Sequence, residues 1–377
     1  MRTPIDPATP LRSRSLRFLL AATVGGFSGY ALLLPVVPLW AVAGGAGETA
    51  AGATNAVFML VTVITQLAMP WMLQRVDIRA LFAAGTMLIG APTPLYALSA
   101  ELWPLLGVSA LRGIGFGLLT VTGSALVAEL VPVAQRGRAA GLYGLAIGLP
   151  NVLLLPAGVW LSEHVGFVPL FWVAGVLPVA SASSVFWIER VRVGGREHGE
   201  GLSGLTALLP SWTVMVVATA SAGGLTAFLS MAIDQTLASV ALLAFGATGM
   251  LGRWAAGRLG DRFGQLRVLA PSIIIGAVGF GLLSVAAGLA EPVALAGAAL
   301  FGAGFGAVQN TTLVLMLERT SSGSASTAWN IAFDGGQGIG AIGFGALVST
   351  TGFSATFAVT AVLIVVSRLA LGVRRQC

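Results

Sequence analysis

The octapeptide Ala110-Leu111-Arg112-Gly113-Ile114-Gly115-Phe116-Gly117 returns 189 residues later as Ala299-Leu300-Phe301-Gly302-Ala303-Gly304-Phe305-Gly306. The same offset carries Glu129 onto Glu318. An offset of 187 lays Pro70–Arg79 over Gly257–Leu266 and pairs Arg75 with Arg262. Both offsets are close to half of the 377-residue chain, so the sequence reads as two copies of one unit.

What each copy is made of follows from composition. The chain is 56% hydrophobic and 9% charged, with a mean hydropathy of +0.91. Soluble domains carry about 25% charged residues, so a water-soluble globule is excluded. The single cysteine, Cys377, rules out a disulfide framework or a cysteine-based metal site within one chain. Both histidines, His164 and His198, fall in expected loops, and no metal or cofactor site is expected. A phosphate-binding loop of the G-x-x-x-x-G-K-[ST] kind is impossible in a chain without lysine, which argues against an ATP-driven pump.

Charged and Gly/Pro-rich punctuation divides the chain into twelve apolar segments. They cover about 17–43, 50–73, 78–98, 103–130, 138–161, 165–188, 210–232, 236–257, 267–289, 292–317, 326–348 and 352–372. Each has roughly the 20 residues that a helix needs to cross a bilayer. The expected fold is an all-α membrane protein of twelve transmembrane helices in two pseudo-symmetric six-helix bundles. Residues 1–188 form one bundle, 189–206 a cytoplasmic linker and 207–377 the other. Arg12, Arg14 and Arg17 before the first segment imitate a signal peptide, but the apolar run continues to Trp40 through two prolines and is read as a span.

Of the twenty arginines, all but Arg112 fall at the N-terminus, the even-to-odd connections or the C-terminus. The opposite connections carry the acids Glu48, Glu101, Glu163, Asp234 and Glu291. By the positive-inside rule both termini are expected in the cytoplasm, in the plasma (inner) membrane of a cell. The formal net charge of +6 is thus a topology signal and not a sign of nucleic-acid binding. Six spans per copy give both copies one orientation, a parallel-repeat plan that secondary transporters use, with a substrate site at the repeat interface near the midplane.

The stretch Gly257-Arg258-Leu259-Gly260-Asp261-Arg262-Phe263-Gly264-Gln265-Leu266-Arg267 resembles the G-x-L-x-D-R-x-G-R-R signature of the major facilitator superfamily, which lies between its helices 8 and 9. In the first copy Gln74 replaces the acid, Asp77 the second glycine and Pro70 the first. Arg112 with Gly113, Gly115 and Gly117 is similar to the family's R-x-x-x-G-x-G motif in helix 4. The resemblance covers the whole chain in span number, repeat and midpoint loop, and it implies alternating access. It also implies a link between Arg112 and proton coupling. The fifth segment keeps only Leu155-Pro156-Ala157-Gly158 of the antiporter signature, and the first segment lacks the acid that several drug exporters place there.

Charges inside the hydrocarbon carry the functional reading, because each is costly unless paired or wetted. Arg112 lies about 13 Å and Asp334 about 12 Å from a segment end, at 1.5 Å per residue. Asn330, Asp334 and Gln337 fall on one narrow face of the eleventh segment, near Thr327. Desolvation there would favour proton exchange by Asp334, the alternative being a hydrogen bond or ion pair that locks the helix. Arg112 would hold an anion or bias a carboxylate, the alternative being a guanidinium bound to backbone carbonyls.

Tyr30, Asn55, Gln66, Asn151, Gln309 and Asn310 are candidates for lining a cavity, although each could equally be an interhelical hydrogen bond. Glu129 and Glu318 are expected to meet Arg75 and Arg262 in a cytoplasmic gate, with Asp261 capping a neighbouring helix and Gly257 and Gly264 framing the signature. The leading expectation is a monomeric, proton-coupled exporter of a small amphipathic or hydrophobic compound. Proton-coupled uptake of a small organic anion on Arg112 stays open, as does a non-transporting scaffold or receptor.

Overall fold

The computed structural model describes residues 13–46, 48–191, 202–233, 235–286 and 291–371. The middle of the expected linker with His198, and also Arg12, Asp234 and Cys377, lie outside these residues. The described chain is helical throughout. The helices are α1 (Arg14–Ala43), α2 (Glu48–Met72), α3 (Ile78–Gly90), α4 (Leu102–Glu129), α5 (Arg136–His164) and α6 (Phe167–Ala182). They continue with α7 (Leu202–Ala232), α8 (Gln235–Phe263), α9 (Gln265–Ala286) and α10 (Glu291–Leu317).

A last run, Ser322–Ser367, is broken at Gly352 (φ 76°, ψ 172°), giving α11 (322–351) and α12 (353–367). Only glycine adopts that backbone without strain. Gly166, between α5 and α6, has φ 91° and is followed by Phe167 as Gly352 is by Phe353. Among the described residues, eleven stretches are long and apolar enough to span a membrane. The final one, Ser322–Leu371, holds two helices, so the expected twelve are present.

Helix ends run past the hydrophobic limits, because hydropathy does not register the polar turns that cap a span. α7 begins at Leu202, inside the expected linker. α8 continues to Phe263, and Gly264 (φ 92°) alone separates it from α9. The expected loop between the eighth and ninth segments is therefore two helix ends and one glycine turn. Pro35 and Pro38 interrupt α1 at Leu34–Pro35. Pro38 has no N–H for the Leu34 carbonyl, and Asn55 of α2 donates to it at 3.0 Å instead.

The chain forms two compact units. The first comprises Met1–Pro132, Ala146–Gly195 and Ser322–Thr327; the second comprises Val133–Leu145, Arg196–Ser321 and Ala328–Cys377. Their cores are built alike. In the first, the α-carbons of Gly113 and Gly117 sit against the carbonyls of Phe58 and Thr62. In the second, Gly302 and Gly306 meet the carbonyls of Phe245 and Gly249. A side chain at any of these glycines would separate α4 from α2 or α10 from α8. Phe58 and Phe116 lie 5.3 Å apart between ring centres, and their counterparts Phe245 and Phe305 5.7 Å. The octapeptide repeat is thus a repeated packing surface.

Candidate functional site

In the first unit, Arg112 is 4% exposed. Its Nε donates to the Ile89 carbonyl at 3.1 Å and its Nη2 to the Gly29 carbonyl at 2.9 Å. Ile89 is in the last turn of α3, where a cation is favoured, and its carbonyl also accepts the Thr93 hydroxyl at 2.8 Å. The guanidinium also lies 5.6 Å from the Tyr96 ring centre and 5.9 Å from that of Phe58. One edge of Arg112 is therefore committed to fastening α4 to α1 and α3.

A recess beside it is lined by Tyr30, Asn55, Phe58, Tyr96 and Ser109 among others, and its free space of about 10 Å³ is about that of one water. Tyr30 stacks on Phe116 at 4.3 Å, and the Tyr96 hydroxyl bonds that of Ser109 at 2.8 Å. Gln66, fully buried, donates to the Thr120 hydroxyl at 3.4 Å. Asn151 donates to the Ile147 carbonyl of its own helix at 2.9 Å.

The second unit buries a cation that the arginine count grouped with the connections although it lies inside the 236–257 segment. Arg253 lies within α8, ten residues before its end, and is 5% exposed. Its Nη1 donates to Gln309 Oε1 at 3.2 Å, and its guanidinium carbon is 5.4 Å from the Trp329 ring centre. Gly144 leaves room for the Arg253 side chain, which a methyl group there would strike. Nε and Nη2 of Arg253, the Tyr143 hydroxyl and both amide atoms of Asn310 have no hydrogen-bond partner among the described residues. Tyr143 is 2% exposed and Asn310 fully buried.

The register of the repeat could have exposed this residue. Arg253 stands 187 positions after Gln66, and Gln309 stands 189 after Thr120. A neutral pair in the first unit is matched by a charged one in the second.

On α11, Asn330 is buried and Asp334 and Gln337 half-buried. Gly336 and Gly340 face α7, where Thr219 donates to the Ala332 carbonyl at 2.9 Å. Ile339 and Ile342 point outward, 65% and 78% exposed. Gln337 packs with its backbone against Gly223 of α7, whereas at 100° per residue Asp334 lies roughly a third of a turn from both faces. Asp334 thus faces neither the α7 contact nor the exposed isoleucines.

The acids of the expected gate find other partners. Asp261 accepts the backbone N–H groups of Gly137 and Arg138, each at 2.9 Å, and lies 3.6 Å from Arg138 Nε. It therefore caps the first turn of α5 with a negative charge. Glu129 accepts a hydrogen bond from the Ser322 hydroxyl at 2.6 Å.

Arg136 donates to the last carbonyl of α10, Leu317, at 3.1 Å. Glu318 reaches the surface beside it. Partial burial raises its carboxyl above the usual range, opposed by Arg319 and Arg136 and reinforced by Asp261. Arg75 folds over Trp71 at 4.5 Å and Arg262 over Phe263 at 5.0 Å, so neither bonds the glutamate expected for it. Gly257 packs against the Gly137 carbonyl, and Gly264 makes the turn between α8 and α9.

Twelve helices in spans long and apolar enough to cross a membrane, among the described residues, define a polytopic membrane protein. The family model for the Major Facilitator Superfamily matches residues 19–341, and the chain belongs to that superfamily of transporters.

Multidrug resistance protein MdtG of Escherichia coli is 25% identical over 95% of this chain and 94% of its own length. The uncharacterized MFS-type transporter Rv1877 of Mycobacterium tuberculosis is 28% identical over 54% of this chain, a match that spans 28% of that relative's length. Among solved structures, the human organic anion transporter MFSD10 (TETRAN) superposes with a TM-score of 0.78 at 16% identity, covering 95% of this chain and 99% of that one. The Escherichia coli fucose:proton symporter FucP gives 0.76 at 16% identity, over 97% and 100%. At these identities the two structures establish the fold alone.

Proposed function

We propose that the chain exports a small amphipathic or hydrophobic compound in exchange for protons, by alternating access, with both termini in the cytoplasm. The observation that carries the reading is the half-buried Asp334 on a polar face of α11, away from that helix's outward isoleucines. A carboxyl so placed can take up and release a proton as its surroundings alternate between wet and dry. The end-to-end likeness to a multidrug resistance protein supports export. Arg112, with its Nε and Nη2 held by two carbonyls, serves in this reading to position helices and not to bind an anion. Asp261, Glu129 and Arg136 serve as fastenings at helix ends that must be made and broken during the cycle.

The test is flux of a panel of amphipathic solutes in proteoliposomes under an imposed pH gradient. Asp334→Asn should abolish gradient-driven movement while leaving solute exchange without a gradient intact. Full gradient-driven transport by Asp334→Asn would end the proposal.

A further inference from the structure

Burying a guanidinium with hydrogen-bonding capacity left over is costly, and arginine cannot escape the cost by losing its proton. Arg253 carries that cost in the second unit. Its Nη1 is used by Gln309, while Nε and Nη2 are without a partner among the described residues. These two nitrogens form one edge of the planar group, and their N–H bonds point the same way. That edge is the fork that receives both oxygens of a carboxylate. In Arg112 the same edge is filled by two carbonyls.

The buried, unpartnered hydroxyl of Tyr143, next in sequence to the Gly144 that packs on the Arg253 side chain, supplies a further donor. Asn310 is one helical turn from Gly306, which packs against the Arg253 backbone, and its amide is unpartnered as well. Trp329 lies over the guanidinium and is held by its own bond to Thr312 at 3.1 Å. It begins an aromatic wall that continues to Phe333 at 5.5 Å and Phe305 at 6.4 Å.

We propose that the cargo carries a carboxylate, held bidentately by Nε and Nη2 of Arg253 with Tyr143 beside it and its apolar body against Trp329 and Phe333. The conformation described here encloses the guanidinium, and the carboxylate reaches it when the transport cycle opens this face. The inference rests on the reading of the chain as a solute carrier, and it adds the chemical class of the solute.

The experiment is calorimetric titration of the purified full chain in lipid nanodiscs with 3-phenylpropionate and with its amide, 3-phenylpropanamide. The acid should bind about 100-fold more tightly than the amide. Arg253→Gln should weaken the acid about 100-fold and bring acid and amide level, the scale expected when one partner of an enclosed charge pair is truncated. Arg253→Lys, which keeps the charge and loses the fork, should weaken the acid about 10-fold.

Glutamine already occupies the equivalent position of the first unit as Gln66, so the variant is expected to fold, and its melting temperature verifies this. Equal affinity for acid and amide, binding of neither, or undiminished acid affinity in both Arg253 variants would overturn the proposal. Gradient-driven export with no Arg253-dependent acid binding would sink the carboxylate site and spare the export reading. Acid binding through Arg253 without gradient-driven transport would do the reverse.

Discussion

Arg112 and Arg253 are both almost wholly buried in an apolar unit, yet they are treated differently. Around Arg112 the chain supplies two carbonyls at hydrogen-bond distance, one of them at the C-terminal end of a helix. Around Arg253 it supplies one amide oxygen and an aromatic ring and leaves the other edge without a hydrogen-bond partner among the described residues. A buried cation that is satisfied is a fastening. One that is not satisfied raises the free energy of the folded state, and such a cost persists where a ligand relieves it. Two buried arginines in one chain therefore have opposite expected effects on stability.

The largest expected effect separates them directly. Arg112→Met should remove the two charge-assisted bonds to the Ile89 and Gly29 carbonyls and lower stability by about 2–4 kcal/mol, read as a falling melting temperature by tryptophan fluorescence in detergent. Arg253→Gln, measured the same way without ligand, should leave the melting temperature unchanged or raised, since replacing an uncompensated buried charge is neutral or stabilising. A matching fall in both variants would erase the distinction.

Next in size is the helix cap. Asp261→Ala removes the acceptor for the Gly137 and Arg138 N–H groups and should cost about 1–2 kcal/mol. The neutral counterpart in the first copy, Gln74→Ala, should cost less than about 0.5 kcal/mol, as an ordinary surface change does. Gly352→Ala and Gly166→Ala, each forcing a side chain into a positive-φ turn, should cost about 1–2 kcal/mol apiece. Equal penalties would support the equivalence of the two turns. A smaller effect than the turn glycines give is expected of Ser322→Ala, which frees one oxygen of Glu129 and should cost about 1 kcal/mol.

Much of the fold was legible in the sequence, because span number, repeat and glycine surface are properties of local pattern. The octapeptide that appears twice makes the same α-carbon-to-carbonyl approach in each unit. Gly166 and Gly352 mark the same turn, although hydropathy alone could not show that α11 and α12 are separated by a single residue. Asp261 as a helix cap followed from its place in the signature, whereas its backbone partners at Gly137 and Arg138 did not.

Side-chain partnership was the least legible level. Arg75 and Arg262 looked like partners for Glu129 and Glu318, but each arginine has an aromatic neighbour one or four residues away in sequence and folds onto it. Arg253 was missed because Arg258 and Arg262 follow it, and together they read as the basic end of a span. Helix α8 runs on past all three, which moves Arg253 inward. Lining up Gln66 with Arg253 would have flagged the position, since a repeat that replaces a buried amide with a guanidinium needs a reason.

The most direct test of the difference between the two arginines is a structure determined with 3-(4-bromophenyl)propionate, located by the anomalous signal of its bromine. The account predicts bound carboxylate oxygens within hydrogen-bond distance of Arg253 Nε and Nη2, with the bromophenyl ring along Trp329 and Phe333. A carboxylate seated on Arg112, with its bonds to Ile89 and Gly29 released, would contradict it.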